Sequence, residues 1–243
     1  MIGRALARAR AGVLLALVVT LAGGVSADDA TPPPAAAAGG GFLFSAIPLA
    51  STPLAGAWSP LRAEALARFP HLELTLAEDL HVTVVYLGEW RPADLPRLRS
   101  LALVAPAAPV RLAPRVARFG RAGTAVVIEL EAASADWPAA VVAAKAELNR
   151  LGLKRADSYD ESFRPHVTLA RSQSGKTTVE ESAELAAFEA WMGERVAADP
   201  ASFTPSLGPD TAVRFLVAGT TRPDGAPRYV PVEELLTGAT TAE

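Results

Sequence analysis

The sequence of 243 residues contains no cysteine. This absence excludes disulfide bonds, cysteine nucleophiles, thiolate zinc sites and lipid attachment through a cysteine. Aromatic residues are also scarce, at 6% of the chain, whereas there are 20 prolines and 18 glycines. Half of the residues are hydrophobic, which excludes wholesale disorder and provides a core. The composition therefore indicates a globular protein with many loops rather than a coiled coil or a collagen-like repeat.

The sequence also lacks an excess of basic residues. Lysine and arginine number 23 against 26 acidic residues, which gives a formal net charge of −3. Proteins that bind long nucleic acids gain affinity by neutralising many backbone phosphates with basic side chains. We therefore expect no long nucleic acid as a partner, whereas small anionic ligands are compatible with this charge.

The N-terminus resembles a signal for export. Arg4, Arg8 and Arg10 precede an uncharged, mostly apolar run over residues 11–22, and small residues follow at 25–27. The run is short for a membrane span and has the three-part pattern of a secretory signal peptide. We expect cleavage after Ala27 and a periplasmic or extracellular protein without stable membrane association. An uncleaved anchor and a mitochondrial presequence are the alternatives.

The remaining chain divides into a linker, one folded domain and a short tail. Residues 28–41 are rich in proline, alanine and glycine and contain no pattern that could bury a face. The folded domain is expected over residues 42–236, and residues 237–243 form the tail.

Within the domain, strand and helix patterns mix without a regular strand–helix–strand alternation. The predicted strands are 42–49, 80–87, 110–119, 124–131, 164–170, 212–218 and 228–232. The predicted helices are 59–69, with Ser59 as N-cap and Pro60 in its first turn, 92–104, 138–151 and 179–198. Because several neighbouring strands are joined by tight turns, we predict an α+β fold with antiparallel sheets.

Two of the three histidines begin nearly the same four-residue motif. These motifs are His-Val-Thr-Val at residues 81–84 and His-Val-Thr-Leu at residues 166–169. Side chains alternate between the faces of a strand, so each motif presents its histidine and threonine on one face and two aliphatic residues on the other. Coincidence explains this repetition poorly.

Two imidazoles and two hydroxyls in one cleft suit phosphoryl transfer. A neutral imidazole can accept a proton from water, and an imidazolium can donate one to the leaving oxygen. Hydroxyl groups can hydrogen-bond the phosphate oxygens as charge develops. This chemistry requires no metal ion and no cofactor, and histidine titrates in the right pH range.

Residues 78–88 (EDLHVTVVYLG) and 163–171 (FRPHVTLAR) resemble the paired signatures of the two-histidine (2H) phosphoesterase superfamily. The resemblance is greatest to its bacterial RNA 2',3'-cyclic phosphodiesterases, also called 2'-5' RNA ligase-like proteins. It implies a bilobal fold of two pseudo-symmetric antiparallel sheets, flanked by helices around a central groove. The chain departs from compact members in residues 172–210, an enlarged helical insertion that could cap or reshape the groove.

The resemblance also implies roles for individual residues. His81 would be the general acid, His166 the general base, and Thr83 and Thr168 would hold the phosphate, with Arg171 as an additional cation. The aromatic residues beside the motif strands either pack in the core or stack on a nucleobase of the substrate. These candidates are Phe44, Tyr86 and Phe163.

The sequence thus predicts a monomeric, metal-independent phosphodiesterase that acts on a small nucleotide or oligonucleotide, with a 2',3'-cyclic phosphate as the expected substrate. A non-catalytic module that binds a cyclic nucleotide in the same groove is the first alternative. The second is a P-loop nucleotide hydrolase, because residues 170–177 (ARSQSGKT) fit a relaxed form of that pattern. We expect the third histidine, His71, to lie at the surface or in packing, since no histidine has a metal-site spacing to another.

Overall fold

The structure is a computed structural model that describes residues 41–173, 177–221 and 227–234. The predicted signal peptide and tail, and all of the predicted linker except Gly41, lie outside these ranges.

The described residues form eight strands and four α-helices. The strands are β1 (Phe42–Pro48), β2 (Leu72–Leu74), β3 (His81–Gly88), β4 (Leu112–Phe119), β5 (Ala125–Ala132), β6 (His166–Ser172), β7 (Arg214–Thr221) and β8 (Pro227–Pro231). The helices are α1 (Pro53–Arg68), α2 (Leu95–Ala102), α3 (Asp136–Arg150) and α4 (Val179–Ala198). Short 3-10 turns precede β3 and α2 and join β4 to β5.

All of the strand pairs are antiparallel, and the strand order is β4-β5-β6-β3-β1-β7-β8, with β2 paired to β6. The predicted α+β fold with antiparallel sheet is confirmed. The sheet has two halves, β4-β5-β6 and β3-β1-β7-β8, which meet where β3 lies beside β6. Between these two strands only one residue pair is in β register, Val82 with Val167. The sheet therefore consists of two half-sheets joined along the two histidine strands.

One hydrophobic cluster packs the four helices against the sheet. It contains Val82 and Val167 from the central strands, Leu98 from α2, Val141 from α3 and Phe188 from α4. Since the valines of the histidine motifs belong to this cluster, the helices cover the face of the sheet that is opposite the histidines.

Helix α1 begins earlier than predicted. Thr52 is extended at the N-cap and Pro53 occupies the first turn, so Ser59 and Pro60 lie inside the helix. A proline inside a helix removes a hydrogen bond. Here the buried Leu54 and Trp58 anchor the preceding turns in the core, and helix stability in proteins derives mostly from such packing.

The described part of the segment expected to be an insertion, residues 172–173 and 177–210, does not cap the groove. Helix α4 contributes Leu185, Phe188 and Met192 to the main core, on the face away from the histidines. Strand β2 has only three residues and was not predicted from the sequence. Residues 222–226, between β7 and β8, lie outside the described residues. No helix in the described ranges combines the length and apolarity that crossing a bilayer requires.

Candidate active site

The four polar side chains of the two motifs lie together on the open face of the sheet. Val82 and Val167 are paired across β3 and β6 and are both fully buried in the core. Because neighbouring residues in a strand point to opposite faces, the adjacent His81, Thr83, His166 and Thr168 point away from that core. The antiparallel register places His81 beside Thr168, and Thr83 beside His166.

Both imidazoles are held in the same tautomer. Nδ1 of His81 lies 2.7 Å from the carbonyl oxygen of Asp79, and Nδ1 of His166 lies 2.8 Å from that of Arg164. A carbonyl oxygen only accepts hydrogen bonds, so Nδ1 must be the protonated nitrogen in each ring. The lone pair of a neutral imidazole is then on Nε2, which is the atom that can exchange a proton with a ligand.

Aromatic side chains support both rings, which are half-buried. The ring centre of His81 is 5.2 Å from that of Phe44 and 4.7 Å from that of Tyr229. The ring of His166 stacks on Phe119 with centres 3.9 Å apart. These contacts and the Nδ1 hydrogen bonds fix the direction of each imidazole before a ligand binds.

Burial lowers the pKa of both histidines. The pKa of His81 falls to about 4 because burial disfavours the charged ring, and the positive charges of Arg171 and His166 act in the same direction. The pKa of His166 is lowered by burial and by the charges of Arg164 and Lys145. The backbone hydrogen bond at each Nδ1 opposes these effects. Both rings are therefore neutral at pH 7 in the free protein.

The two motif strands carry a β-bulge at the same position. Val84 is an extra residue of β3 relative to β1, and Leu169 is an extra residue of β6 relative to β5. Each of these is three residues after its histidine. A bulge shifts the alternation of faces by one residue, so the fifth residue after each histidine returns to the open face. These residues are Tyr86 in β3 and Arg171 in β6.

Polar groups satisfy the backbone at both bulges. The buried Ser45 accepts a hydrogen bond from the backbone N–H of Val85 through its Oγ, at 3.1 Å. The carbonyl oxygen of Leu169 accepts one from the N–H of Thr75, which follows β2, at 2.9 Å. The first bulge thus depends on a side chain and the second on the short strand β2.

Arg171 marks one end of the groove, which we call the arginine end. Its Nη2 donates to the hydroxyl of Tyr229 at 3.4 Å, and Glu73 lies across the β2–β6 pair. Tyr229 therefore contacts both His81 and Arg171, and links the two motifs. A guanidinium at this place can bind a phosphate oxygen.

A charged cluster lies beside His166. Glu129 is opposite His166 in the β5–β6 register and is buried, and it forms ion pairs with Arg115 and Arg164. The guanidinium of Arg164 also lies 5.4 Å from the ring centre of Phe119. Since two guanidiniums surround one carboxylate, the cluster has a net positive charge, which favours an anionic ligand in the groove.

A sequence model of the 2'-5' RNA ligase superfamily matches residues 51–206, more than half of the chain. The chain belongs to the 2'-5' RNA ligase superfamily. Solved structures similar to it include one described as a phosphoesterase and Escherichia coli LigT in complex with 3'-AMP. Both are 18% identical to this chain over 79% of its length and 95% of theirs, with TM-scores of 0.50 and 0.51. At 18% identity, these structural similarities establish the fold of the chain and nothing about its substrate. A search of curated proteins found no match.

In this member of the superfamily, the three aromatic candidates from the sequence lie in different environments. Phe44 is buried on the open face under His81. Phe163 packs on the core side against Trp137, with ring centres 4.9 Å apart. Of the three rings predicted beside the motifs, only Tyr86 is exposed. His71 lies at the surface, where its Nδ1 is 2.6 Å from Glu184.

Sequence reasoning missed Tyr229, Phe119 and Glu129. Tyr229 and Phe119 lie on predicted strands, but nothing in a strand pattern shows which aromatic residue faces a distant histidine. Glu129 interrupts the hydrophobic pattern of β5. A carboxylate at a position expected to be buried needs a partner of opposite charge, and this was the one signal of the cluster in the sequence.

The helix after the relaxed P-loop pattern is poorly suited to bind phosphate. Residues 174–176 of that pattern lie outside the described residues, and α4 begins at Val179. The hydroxyl of Thr178 accepts from the N–H of Glu181, and the carboxylate of Glu181 accepts from the N–H of Thr178. The first turn also carries Glu180. The cap thus occupies the N–H of Glu181, and the carboxylates of Glu180 and Glu181 in the first turn repel a phosphate.

Within the described ranges, no three histidine, aspartate or glutamate side chains come together in a way that could hold a metal ion. The groups that the site offers for chemistry are the two imidazoles, the two threonine hydroxyls and the guanidinium of Arg171.

Proposed function

We propose that the protein is a metal-independent phosphodiesterase of the two-histidine type that hydrolyses a 2',3'-cyclic phosphate of a nucleotide or RNA end. The observation that carries this proposal is the matched pair of imidazoles on the open face. Both donate Nδ1–H to a backbone carbonyl and so present Nε2 to the same groove. Membership of the superfamily supports phosphodiesterase-type chemistry.

In the proposed reaction, the phosphate binds between the two imidazoles. The neutral imidazole accepts a proton from water at Nε2 as the water oxygen attacks phosphorus. The other imidazole, protonated at Nε2, donates its proton to the departing ribose oxygen. One ester P–O bond breaks, one P–O bond to water forms, and a phosphate monoester remains. Following the family resemblance, His81 is the acid and His166 the base, and the reverse reaction exchanges these roles.

The hydroxyls and the guanidinium stabilise the charge on the phosphate. Thr83 and Thr168 lie beside the imidazoles and can donate to the non-bridging oxygens, while Arg171 supplies a positive charge at the arginine end. The bound anion also raises the pKa of both histidines, because a negative charge favours the protonated ring. Substrate binding thus helps to protonate the acid.

A nucleotide is the favoured substrate class. LigT of E. coli, which is similar in fold, was crystallised with 3'-AMP. A nucleoside 3'-monophosphate is also the product expected when water opens the 2' ester of a 2',3'-cyclic phosphate. This similarity supports a ligand of one nucleotide or a short oligonucleotide in the groove.

The test is hydrolysis of a panel of 2',3'-cyclic nucleotides and short 2'-5' linked oligomers in the presence of EDTA. We expect activity of the wild type to persist in EDTA, and His81→Ala and His166→Ala each to lose about 10²–10⁴-fold in kcat. His71→Ala is the matched control, because this histidine lies at the surface in an ion pair with Glu184. Full activity in either motif variant would contradict the mechanism. Saturable binding without product would favour the non-catalytic binding module.

We also propose export, on the pattern of residues 1–27 alone. Mass spectrometry of the protein from the periplasmic or culture fraction should then find Asp28 as the N-terminal residue.

A further inference from the structure

The two imidazoles differ in what holds their hydrogen-bond acceptors in place. The carbonyl oxygen that accepts from His81 belongs to Asp79, which is the last residue of a 3-10 turn. The carbonyl oxygen that accepts from His166 belongs to Arg164, and residues 162–165 have no regular secondary structure. The acceptor of the second histidine therefore depends on other contacts for its position.

Residues 164 and 165 are attached to β5 at two neighbouring points. The carbonyl oxygen of Pro165 accepts a hydrogen bond from the N–H of Leu130 at 2.8 Å. The guanidinium of Arg164 forms an ion pair with Glu129, the preceding residue of β5. The Arg164 carbonyl lies between these two attachments in the chain, and together they restrict its orientation.

The position of Glu129 suits this attachment. In the strand register Glu129 is opposite His166 on β6 and opposite Arg115 on β4, so that the three residues form one row across the sheet. Only 6% of Glu129 is exposed. Burial of a carboxylate is costly unless cationic groups compensate for the lost solvation. Glu129 therefore retains both of its partners, Arg115 and Arg164.

The guanidinium of Arg164 has a second contact next to His166. It lies 5.4 Å from the ring centre of Phe119, and that ring stacks on the imidazole with centres 3.9 Å apart. Arg164 thus acts on His166 by two routes, directly through its carbonyl oxygen and indirectly through Phe119. Arg115 pairs with the same carboxylate but, in the part of the chain that the structure describes, has no contact with an aromatic ring.

We propose that Arg164 is a positioning residue for His166. Because the buried Glu129 holds its guanidinium, Arg164 keeps both the Nδ1–H acceptor and the stacked Phe119 ring in place, and Nε2 keeps its lone pair towards the groove. The kinetic consequence of this inference rests on the proposed function, in which His166 is the base. Arg115 carries the same charge on the same carboxylate and has no such role, so the two arginines form a matched pair for a test.

Magnetic resonance of isotope-labelled imidazole nitrogens tests the inference without a substrate. The chain has three histidines, so the signals of His81, His166 and His71 can be assigned by substituting each in turn. At about pH 8 we expect the Nδ1–H tautomer at His166 in the wild type and in Arg115→Met, and a large population of the Nε2–H tautomer in Arg164→Met. His81 should keep its tautomer in both variants, which also shows that they are folded.

Steady-state kinetics of the same two variants separate position from charge. Each variant loses one positive charge, so any rise in KM for an anionic substrate should be equal in both. Arg164→Met should in addition lose about 10–10²-fold in kcat, as small displacements of a reacting group do, whereas kcat of Arg115→Met stays within about two-fold of wild type. Arg164→Lys keeps the ion pair but not the planar group beside Phe119, so its kcat should lie between the two.

Equal values of kcat in the two methionine variants, or an unchanged tautomer at His166 in Arg164→Met, would overturn the inference. Failure of the proposed function would have a different signature. The wild type would then hydrolyse none of the cyclic phosphates, while the tautomer of His166 would still depend on Arg164 and not on Arg115.

Discussion

At the scale of single residues, the two histidines combine fixed direction with a low pKa. Each ring donates Nδ1–H to the carbonyl two residues earlier in the chain and contacts an aromatic ring. Burial lowers the pKa of both below the usual 6.5. In the free protein both imidazoles are therefore neutral. Acid–base catalysis requires that one of them gain a proton before it can act as the acid.

This requirement predicts an acidic optimum for kcat/KM. The singly protonated pair is most abundant between the two pKa values of the free protein, of which that of His81 is about 4 and that of His166 is below 6.5. We expect kcat/KM to rise as the pH falls from 8 to 6 and to decline below about 4. The bound anion raises both pKa values, so the profile of kcat should lie at higher pH. A kcat/KM profile that is flat from pH 6 to 9 would contradict this assignment.

Tyr229 is a positioning residue for both motifs. Its ring contacts His81 and its hydroxyl accepts a hydrogen bond from Arg171. Tyr229→Phe keeps the ring and removes the hydroxyl, so we expect the pH profile to be retained and KM to rise several-fold. Tyr229→Ala should also shift the acidic limb upward, because His81 becomes more solvated. Steady-state kinetics across pH for both variants distinguish these effects. A Tyr229→Phe variant equal to wild type would exclude the role of the hydroxyl, and equal behaviour of the Phe and Ala variants would exclude the role of the ring.

At the scale of secondary-structure elements, the matched bulges decide which side chains reach the groove. If β3 and β6 alternated regularly through Val84 and Leu169, Tyr86 and Arg171, each at the fifth position after its histidine, would lie on the core face. The sequence predicted both strands and the faces of their histidines. It did not predict the bulges, because a bulge depends on the partner strand and on what satisfies the unpaired backbone group.

The bulge in β3 predicts that removing the hydroxyl of Ser45 destabilises the folded protein. Ser45→Ala leaves the buried N–H of Val85 without its acceptor, which should lower the free energy of unfolding by about 1–3 kcal/mol. Chemical denaturation measures this change. Ser206→Ala, at an exposed position in the loop before β7, serves as a control of the same substitution elsewhere. A loss at position 45 of no more than that at position 206 would show that the bulge does not depend on the Ser45 hydroxyl.

At the scale of the whole molecule, one core connects two half-sheets that share a single recorded β pair. The main cluster includes Leu43 and Phe215 from one half-sheet, Ile128 and Leu169 from the other, and residues of all four helices. The site lies on the open side of this junction, where each half contributes one histidine and one threonine. Its geometry therefore depends on the packing behind the sheet rather than on hydrogen bonds between β3 and β6.

A shared core predicts that the half-sheets unfold together. We expect denaturant unfolding of the described domain to be one transition, with coincident curves from tryptophan fluorescence and far-ultraviolet circular dichroism. Val167→Ala should shift both curves to lower denaturant equally, because this buried residue touches the junction. Two separate transitions, or a shift in only one signal, would show that the halves are independent.

The sequence by itself determined all of the strands except β2, the four helices apart from the start of α1, and the two histidine motifs, because these are local patterns of hydrophobicity and turn residues. It also indicated phosphoryl-transfer chemistry, because one imidazole can accept a proton, the other can donate one, and hydroxyls can bind phosphate oxygens. Only the tertiary structure decided that Tyr229 links the motifs, that Phe163 packs in the core and that Phe119 stacks on His166. Those facts depend on register, bulges and loop packing between residues far apart in the chain, and no local pattern encodes them.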